Sequence, residues 1–310
     1  MKTSLTSRLH HYAPILDRCT PFLIAHAGIL PDLNRDPAGV AIPDDHIVDP
    51  QHMRHGDFLA MLRLLDQLTF GPFGMEMPPW VFYDCAVMPG AVFGLAIRAA
   101  ELEPWALEAV RVPPGYQGLV PISQFIAIPM LEGFADAAPD EPPSSWLLYT
   151  CESINQVSPG FGPAGALRLT LALGLQVFPI RRLVGTCQWR SEKLSAYADL
   201  GPLELLTAYT PGHSLPRTLS YRIDVDETSI AALLTSPRVH PRAPAPNALL
   251  DVDDVDALRG LQADLEAGGS AWIVGHPLVD GPRVQVPLHR HPAGTTPDHP
   301  PLGVVTGVTR

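Results

Sequence analysis

The residue types that indicate chemistry in this sequence lie in a glycine-rich segment between a predicted strand and a predicted helix. It runs Gln156-Val-Ser-Pro-Gly160-Phe-Gly162-Pro-Ala-Gly165-Ala-Leu. Glycines let a backbone approach a ligand closely, and the free N–H groups at the start of a helix favour phosphate. The segment therefore indicates a phosphate-binding loop, and a purely structural strand-to-helix turn is the alternative.

Histidine pairs are the second feature whose spacing suits a site. His289 and His291 are separated by one residue on a predicted strand, so their side chains point the same way. His52 and His55 form the other close pair. Two imidazoles on one face can bind a metal ion, but no carboxylate or cysteine stands at a complementary spacing. We therefore expect surface histidines and no metal site.

Charge and composition exclude several classes of function. The formal net charge is −11 and no run of basic residues is longer than Arg181-Arg182, so nucleic acid is not expected as a partner. The hydrophobic fraction of 46% is sufficient for a folded core. No apolar run reaches the roughly 18 residues of a membrane-spanning helix, so no membrane partner is expected. Residues 20–30 predict a buried element rather than a signal peptide.

The four cysteines point to the same kind of protein. None of them forms a C-x-x-C pair, and all lie in apolar or strand-like surroundings: Cys19, Cys85, Cys151 and Cys187. This pattern predicts buried free thiols in a reducing compartment, and hence a cytoplasmic protein.

The elements that must position the glycine-rich segment follow from hydrophobic periodicity. Helices are predicted at 51–70, 167–178 and 191–200, and a hairpin at 80–97. Further strands are predicted at 119–131, 146–154, 182–189, 203–209 and 219–225. This order predicts an α/β (α+β) fold with a mixed central sheet flanked by helices.

The order of strand, glycine-rich loop, helix, strand, helix and strand over 146–209 resembles the GCN5-related N-acetyltransferase (GNAT) family. In that family a Q/R-x-x-G-x-G/A loop binds the acyl-CoA pyrophosphate, and Gly160-Phe-Gly162 matches its G-x-G core. A later N-x-x-A-x-x-x-Y-x-x-x-G segment supplies a tyrosine near the thioester sulfur, and Tyr197 and Gly201 have that spacing. By element order the resemblance extends over 51–225.

The resemblance implies an acyl-CoA N-acyltransferase-like fold and transfer of an acyl group, first of all acetyl, to an amine of unknown identity. The co-substrate would be acetyl-CoA or another acyl-CoA. The residues implied to bind it are Ile154, Asn155, Gln156, Gly160, Phe161, Gly162, Ala164 and Gly165. A backbone N–H of Ile154 or Asn155 would polarise the thioester carbonyl. Glu152 would act as general base and Tyr197 would protonate the departing thiolate.

Other interpretations of these residues stay open. Glu152 could be a strand-end carboxylate that faces solvent or an arginine, and Tyr197 a packed aromatic residue. The chain could then be a non-catalytic binding or scaffold protein that keeps a GNAT-like fold. It could also act on longer acyl groups through an apolar stretch, or that stretch could be ordinary core: Phe70, Phe73, Met75, Met77 and Trp80.

The predicted domain organisation follows from the same elements. An irregular N-terminal segment, 1–50, precedes the acyltransferase-like domain, 51–235. A proline-rich linker, 236–248, leads to a small helix and hairpin extension, 249–291, and a flexible tail, 292–310.

Overall fold

The computed structural model describes residues 9–25, 27–48, 56–78, 91–130, 144–156, 158, 161–235 and 240–294. The chain divides into two compact units, Met1–Ile180 and Arg181–Arg310. The division falls inside the range that the sequence indicated as one acyltransferase-like domain. Within each unit a sheet is flanked by helices, so the predicted mixed α/β fold is confirmed.

The described part of the first unit contributes five strands to the sheet. Its strands are β1 (Thr20–Ile24), β2 (Ile47–Val48), β3 (Ala91–Arg98), β4 (Leu119–Pro129) and β5 (Ser145–Ser153). They lie in the order β5-β4-β3-β1-β2, with β1 and β2 parallel and the other pairs antiparallel. The N-terminal segment, predicted to be irregular, thus supplies two strands. The first strand of the predicted hairpin lies outside the described residues.

Helices cover both faces of this sheet. They are α1 (Ala13–Leu16), α2 (Gly56–Phe70), α3 (Pro104–Ala109) and α4 (Ala166–Val177). On one face, the ring of Phe58 from α2 meets the ring of Phe22 from β1 edge to face, 4.9 Å between centroids. On the other face, Ser123 Oγ of β4 lies 2.6 Å from Thr170 Oγ1 of α4. The helical apolar spacing read from the sequence therefore marks the sides of α2 and α4 that the sheet buries.

A row of register partners crosses the α2 face of the sheet. Phe22 is paired with Gly94, Gly94 with Gln124, and Gln124 with Glu152. Cross-strand partners share a face, so the four side-chain positions lie side by side. A Cβ atom at Gly94 would clash with the Phe22 ring and with the carbonyl oxygen of Ser123. Glycine is required at this position because the Phe22 ring lies across it.

Among the described residues, the second unit contributes seven antiparallel strands. They are β6 (Arg182–Gln188), β7 (Leu203–Thr207), β8 (Thr218–Asp224), β9 (Ala248–Asp251), β10 (Ser270–Ile273), β11 (Leu278–Asp280) and β12 (Arg283–His291). Their order is β11-β12-β10-β7-β8-β6, and β9 also pairs with β12. The predicted extension 249–291 continues this sheet, because Trp272 and Ile273 of β10 pair with β7. Ala248, placed in the predicted linker, already belongs to β9.

Three helices accompany this sheet. They are α5 (Lys193–Leu200), α6 (Glu227–Thr235) and α7 (Val255–Glu266). The side chain of Asp254 accepts a hydrogen bond from the Ala257 amide and caps α7, as its acidic start suggested. Helix α6 was not predicted, although Asp226 Oδ1 accepts from the amides of Thr228 and Ser229 at its start. None of the helices in the described ranges is long and apolar enough to cross a membrane.

Candidate functional site

Glu152 stands near the end of β5 and is fully buried. Nε2 of Gln124, its register partner on β4, donates a hydrogen bond to Glu152 Oε1. The side chain therefore does not face solvent. Among the described residues, no group donates to the remaining amide oxygen of Gln124, which is also fully buried. The pair places a carboxyl group and an amide oxygen together on the α2 side of the sheet.

Gln124 was missed by sequence reasoning, although the sequence contains a signal for it. Residues 119–131 are predominantly apolar, and the polar pair Ser123-Gln124 interrupts them. Buried polar side chains in strands usually have specific partners. Ser123 faces Thr170 on one side of the sheet and Gln124 faces Glu152 on the other.

The loop after β5 is closed by the side chain of Asn155. Asn155 Nδ2 donates to the carbonyl oxygen of Pro163 at 2.9 Å, and Asn155 Oδ1 accepts from the amide of Gly162 at 2.8 Å. The amide of Ser158 donates to Ile154, and that of Phe161 donates to Ser158. These amides already have acceptors inside the loop.

The remaining residues implied for cofactor binding differ in exposure. Ile154 is fully buried, and Phe161 is buried with its ring edge to face on Trp105, 5.8 Å between centroids. Gln156 is exposed, and its Oε1 accepts from the Ser153 amide at 3.1 Å. Gly160 lies outside the described residues.

Helix α4 begins at a left-handed glycine. Gly165 is its N-cap with φ of 91°, a conformation that favours glycine, and the Ala166 amide donates to Pro163. Ala164 and Gly165 are both exposed. The backbone that leads into the helix is therefore open to solvent, while the preceding loop is bonded to itself.

Tyr197 belongs to the second unit, whereas Glu152 and the loop belong to the first. It lies on α5, is 4% exposed, and its ring is tilted against that of Tyr221 with 5.3 Å between centroids. The ring is therefore packed as part of the core of its unit.

A second polar cluster in this unit was not foreseen. Nε2 of half-buried His276 lies 2.7 Å from Oδ1 of buried Asp199, the carboxyl group of α5. His240 is 4% exposed, and its Nδ1 accepts from the Arg242 amide at 3.2 Å. Burial, followed by the positive charge of Arg242, lowers the pKa of His240. The long sequence separations of these residues left no motif by which to find them.

The cysteines of the described residues are buried free thiols, as predicted. Burial raises the pKa of Cys19 to about 12, and burial raises that of Cys187 to about 12 against the opposing effect of Lys193. Such thiols are protonated at neutral pH and are poor nucleophiles. Cys151 is buried on β5, and Cys85 lies outside the described residues.

Two other predicted groups have mixed outcomes. In the apolar stretch, Met77 is buried and Phe73 is 66% exposed, while Trp80 lies outside the described residues. Among the described residues, no group of three or more histidine, cysteine or acidic side chains is arranged to hold a metal ion. The pair His52 and His55 lies outside them.

Comparison with known proteins gives limited matches. No protein-family model matches this chain, and no curated protein matches it. A crystal structure of TofI in a ternary complex with an inhibitor and MTA is 13% identical, with a TM-score of 0.33 over 69% of this chain and 96% of that chain. The apo form of TofI is 14% identical, with a TM-score of 0.29 over 56% and 87% of the two chains. At these TM-scores the matches say nothing about the chemistry of this chain.

Proposed function

We propose that this chain is an acyltransferase that moves an acyl group from a thioester such as acyl-CoA to an amine. The observation that carries the proposal is the buried pair of Gln124 and Glu152 at the end of β5, directly before the loop that opens α4. The strand-end carboxyl group supplies a proton acceptor, and the helix start that follows it in the chain supplies an anion-binding position. The resemblance to the GNAT family supports the same assignment.

The donor would bind at the start of α4. The amides of Ser158, Phe161 and Gly162 donate within the loop, so phosphate contacts fall to the exposed backbone at Ala164 and Gly165. The positive end of the α4 dipole adds to the attraction for phosphate. Of the residues implied to bind the cofactor in the segment 154–165, the proposal therefore assigns the phosphate contacts to Ala164 and Gly165 alone.

The acceptor would be an amine whose nitrogen attacks the thioester carbonyl carbon as the C–S bond breaks. Glu152 would take the proton of the attacking amine, and the free amide oxygen of Gln124 would accept its second N–H. The thiolate leaves and takes up a proton from water. Because Glu152 is fully buried, the pair must become exposed before an acceptor can reach it.

Ligand-induced thermal stabilisation tests donor binding. Acetyl-CoA and a long-chain acyl-CoA are each added at increasing concentration; binding at about a hundred times Kd stabilises the folded state by about 2.7 kcal/mol. Ala164→Glu places a carboxylate at the helix start, which the dipole favours but phosphate avoids, so the shift should shrink while the fold remains. Ala164→Gln is the matched control and should keep the shift. No shift with either thioester would overturn the proposal.

The role of Glu152 is tested by Glu152→Gln, which keeps an acceptor for Gln124 but removes the base. The rate of acyl transfer to a panel of amines, measured by the release of free CoA thiol, should fall about 10²- to 10⁴-fold. The thermal shift with acyl-CoA should persist. Unchanged turnover in this variant would remove Glu152 from the mechanism.

A second candidate is a non-catalytic protein that binds a thioester or related ligand. It is favoured by the burial of both Glu152 and Tyr197, which are 0% and 4% exposed. This candidate predicts a thermal shift with acyl-CoA and no release of free CoA thiol with any amine of the panel.

A further inference from the structure

Two histidines of β12 present their ring nitrogens to one another. His289 and His291 are separated by one residue on the strand, so their side chains point to the same face. Their Nε2 atoms lie 3.2 Å apart, and their ring centroids are 4.8 Å apart. Both residues are half-buried, so neither is sealed off from solvent.

The protonation pattern of His289 follows from its second contact. Its Nδ1 lies 2.8 Å from the carbonyl oxygen of Ala245, and a carbonyl can only accept. Nδ1 therefore carries the hydrogen, and in the neutral ring Nε2 carries a lone pair directed at His291. This is the arrangement seen around metal-binding histidines, whose other ring nitrogen donates to a carbonyl or carboxylate that orients the ring.

A tryptophan on the neighbouring strand packs against this pair of histidines. Trp272 of β10 is the register partner of His289, and its ring centroid lies 6.4 Å from that of His289 and 5.8 Å from that of His291. Trp272 is 9% exposed. On its other side, Trp272 is the register partner of Glu204 on β7. The Trp272 ring restricts the two imidazole rings, so the histidines lose little rotamer freedom when a ligand binds between them.

We propose that His289 and His291 together bind one late first-row divalent transition-metal ion through their Nε2 atoms. Imidazole nitrogens lie about 2.0–2.1 Å from such ions, and two nitrogens 3.2 Å apart at that distance subtend about 100° at the metal. This angle fits both tetrahedral and tetragonal coordination. The ion replaces the proton that the two nitrogens otherwise share.

The number and type of ligands determine which ion binds best. Among the described residues, no third histidine, cysteine or acidic side chain joins the pair, so water completes the coordination. Sites with few neutral nitrogen ligands follow the general order of stability, in which Cu²⁺ binds more tightly than Ni²⁺ or Zn²⁺. The site is thus an open one, with positions left for water or for an external ligand.

Titration of the full chain with Cu²⁺, followed by tryptophan fluorescence and by calorimetry, tests the proposal. Bound Cu²⁺ next to Trp272 should quench its emission with one tight ion per chain. His289→Ala and His291→Ala should each weaken this binding at least about tenfold. His10→Ala, which removes an exposed histidine elsewhere, should leave it unchanged.

Trp272→Phe separates the reporter from the site: it should lose most of the quenching while calorimetry still records the tight ion. Circular dichroism confirms that each variant is folded, as expected for half-buried positions. Equal Cu²⁺ affinity in the double variant His289→Ala/His291→Ala and in the unchanged chain would overturn the proposal.

Discussion

Gln124 donates a hydrogen bond to Glu152 across the pair of strands β4 and β5, and both side chains are fully buried. A buried carboxyl group that loses a donor is destabilised by about 1–3 kcal/mol. Gln124→Leu should therefore lower the free energy of unfolding by that amount, measured by urea denaturation. Gln176→Leu removes an amide that only bonds back to its own helix, and should cost about 0.5 kcal/mol or less. Equal losses in the two variants would contradict the importance of the pair.

Gly94 is required by the packing of Phe22 across it. Gly94→Ala brings a methyl group against the Phe22 ring and the Ser123 carbonyl oxygen, and backbone cannot move aside as a flexible side chain can. Overpacking of this kind costs about 1–3 kcal/mol, which thermal unfolding detects. Gly212→Ala, where a Cβ meets nothing within 4 Å, is the control and should change stability little. A stable Gly94→Ala variant would mean that the two strands can separate locally.

Asn155 holds the loop before α4 closed through Gly162 and Pro163. Asn155→Ala removes both hydrogen bonds, each worth about 1 kcal/mol, so the Gly162 amide should exchange with solvent about five- to tenfold faster. Hydrogen–deuterium exchange of the peptide covering 158–166 measures the effect. Asn34→Ala, at an exposed asparagine whose side chain accepts from the amide of Asp36, should leave this peptide unchanged. Unaltered exchange in Asn155→Ala would show that other contacts close the loop.

His240 makes the second unit sensitive to acid. Burial and the charge of Arg242 lower its pKa below the ordinary value of 6.5, against the opposing effects of Asp226 and Asp199. The unfolded chain therefore binds more protons than the native one at mildly acidic pH. Stability is present above about pH 6.5 and is lost as pH falls from there towards the lowered native pKa.

The variant His240→Asn isolates this contribution. Asparagine keeps an acceptor for the Arg242 amide but does not titrate. The free energy of unfolding of the variant, measured by urea denaturation, should fall less between pH 7.5 and 5.5, by up to about 1.4 kcal/mol per pH unit. His213 Nδ1 likewise accepts from the amide two residues later, that of Leu215. His213→Asn, measured at pH 8, therefore shows what the loss of an imidazole from such a turn costs apart from its titration. An identical pH slope in His240→Asn and the unchanged chain would rule out this role.

Local sequence pattern predicted most of the regular elements. Apolar residues at helical spacing located α2, α4 and α7, and β-rich runs located β4, β5 and β8, each within a few residues of its observed bounds. Elements with weak local signals were missed. Residues 20–30 predicted a buried element but not strand β1, which has five residues. Helix α6 depends on a cap by Asp226 that went unrecognised.

The candidate site divides in the same way. The glycine-rich loop and the start of α4 were visible in the sequence, because glycine and helix signals act over a few neighbouring residues. The closure of that loop by Asn155, and the engagement of the Gly162 amide, depend on which rotamer and turn the folded loop adopts. Sequence spacing alone could not separate an amide open to a ligand from one already bonded.

The sequence by itself determined the mixed α/β composition, the burial of the described cysteines and the position of the glycine-rich turn, because each depends on local periodicity and polarity. Only the tertiary structure decided that Gln124 bonds to Glu152 and Asp199 to His276. It also decided that His289 and His291 pack against Trp272. These meetings are set by strand register and helix packing between distant segments. A shift of one residue in register would turn the side chains that lie on strands, such as Gln124 and His289, to the opposite face.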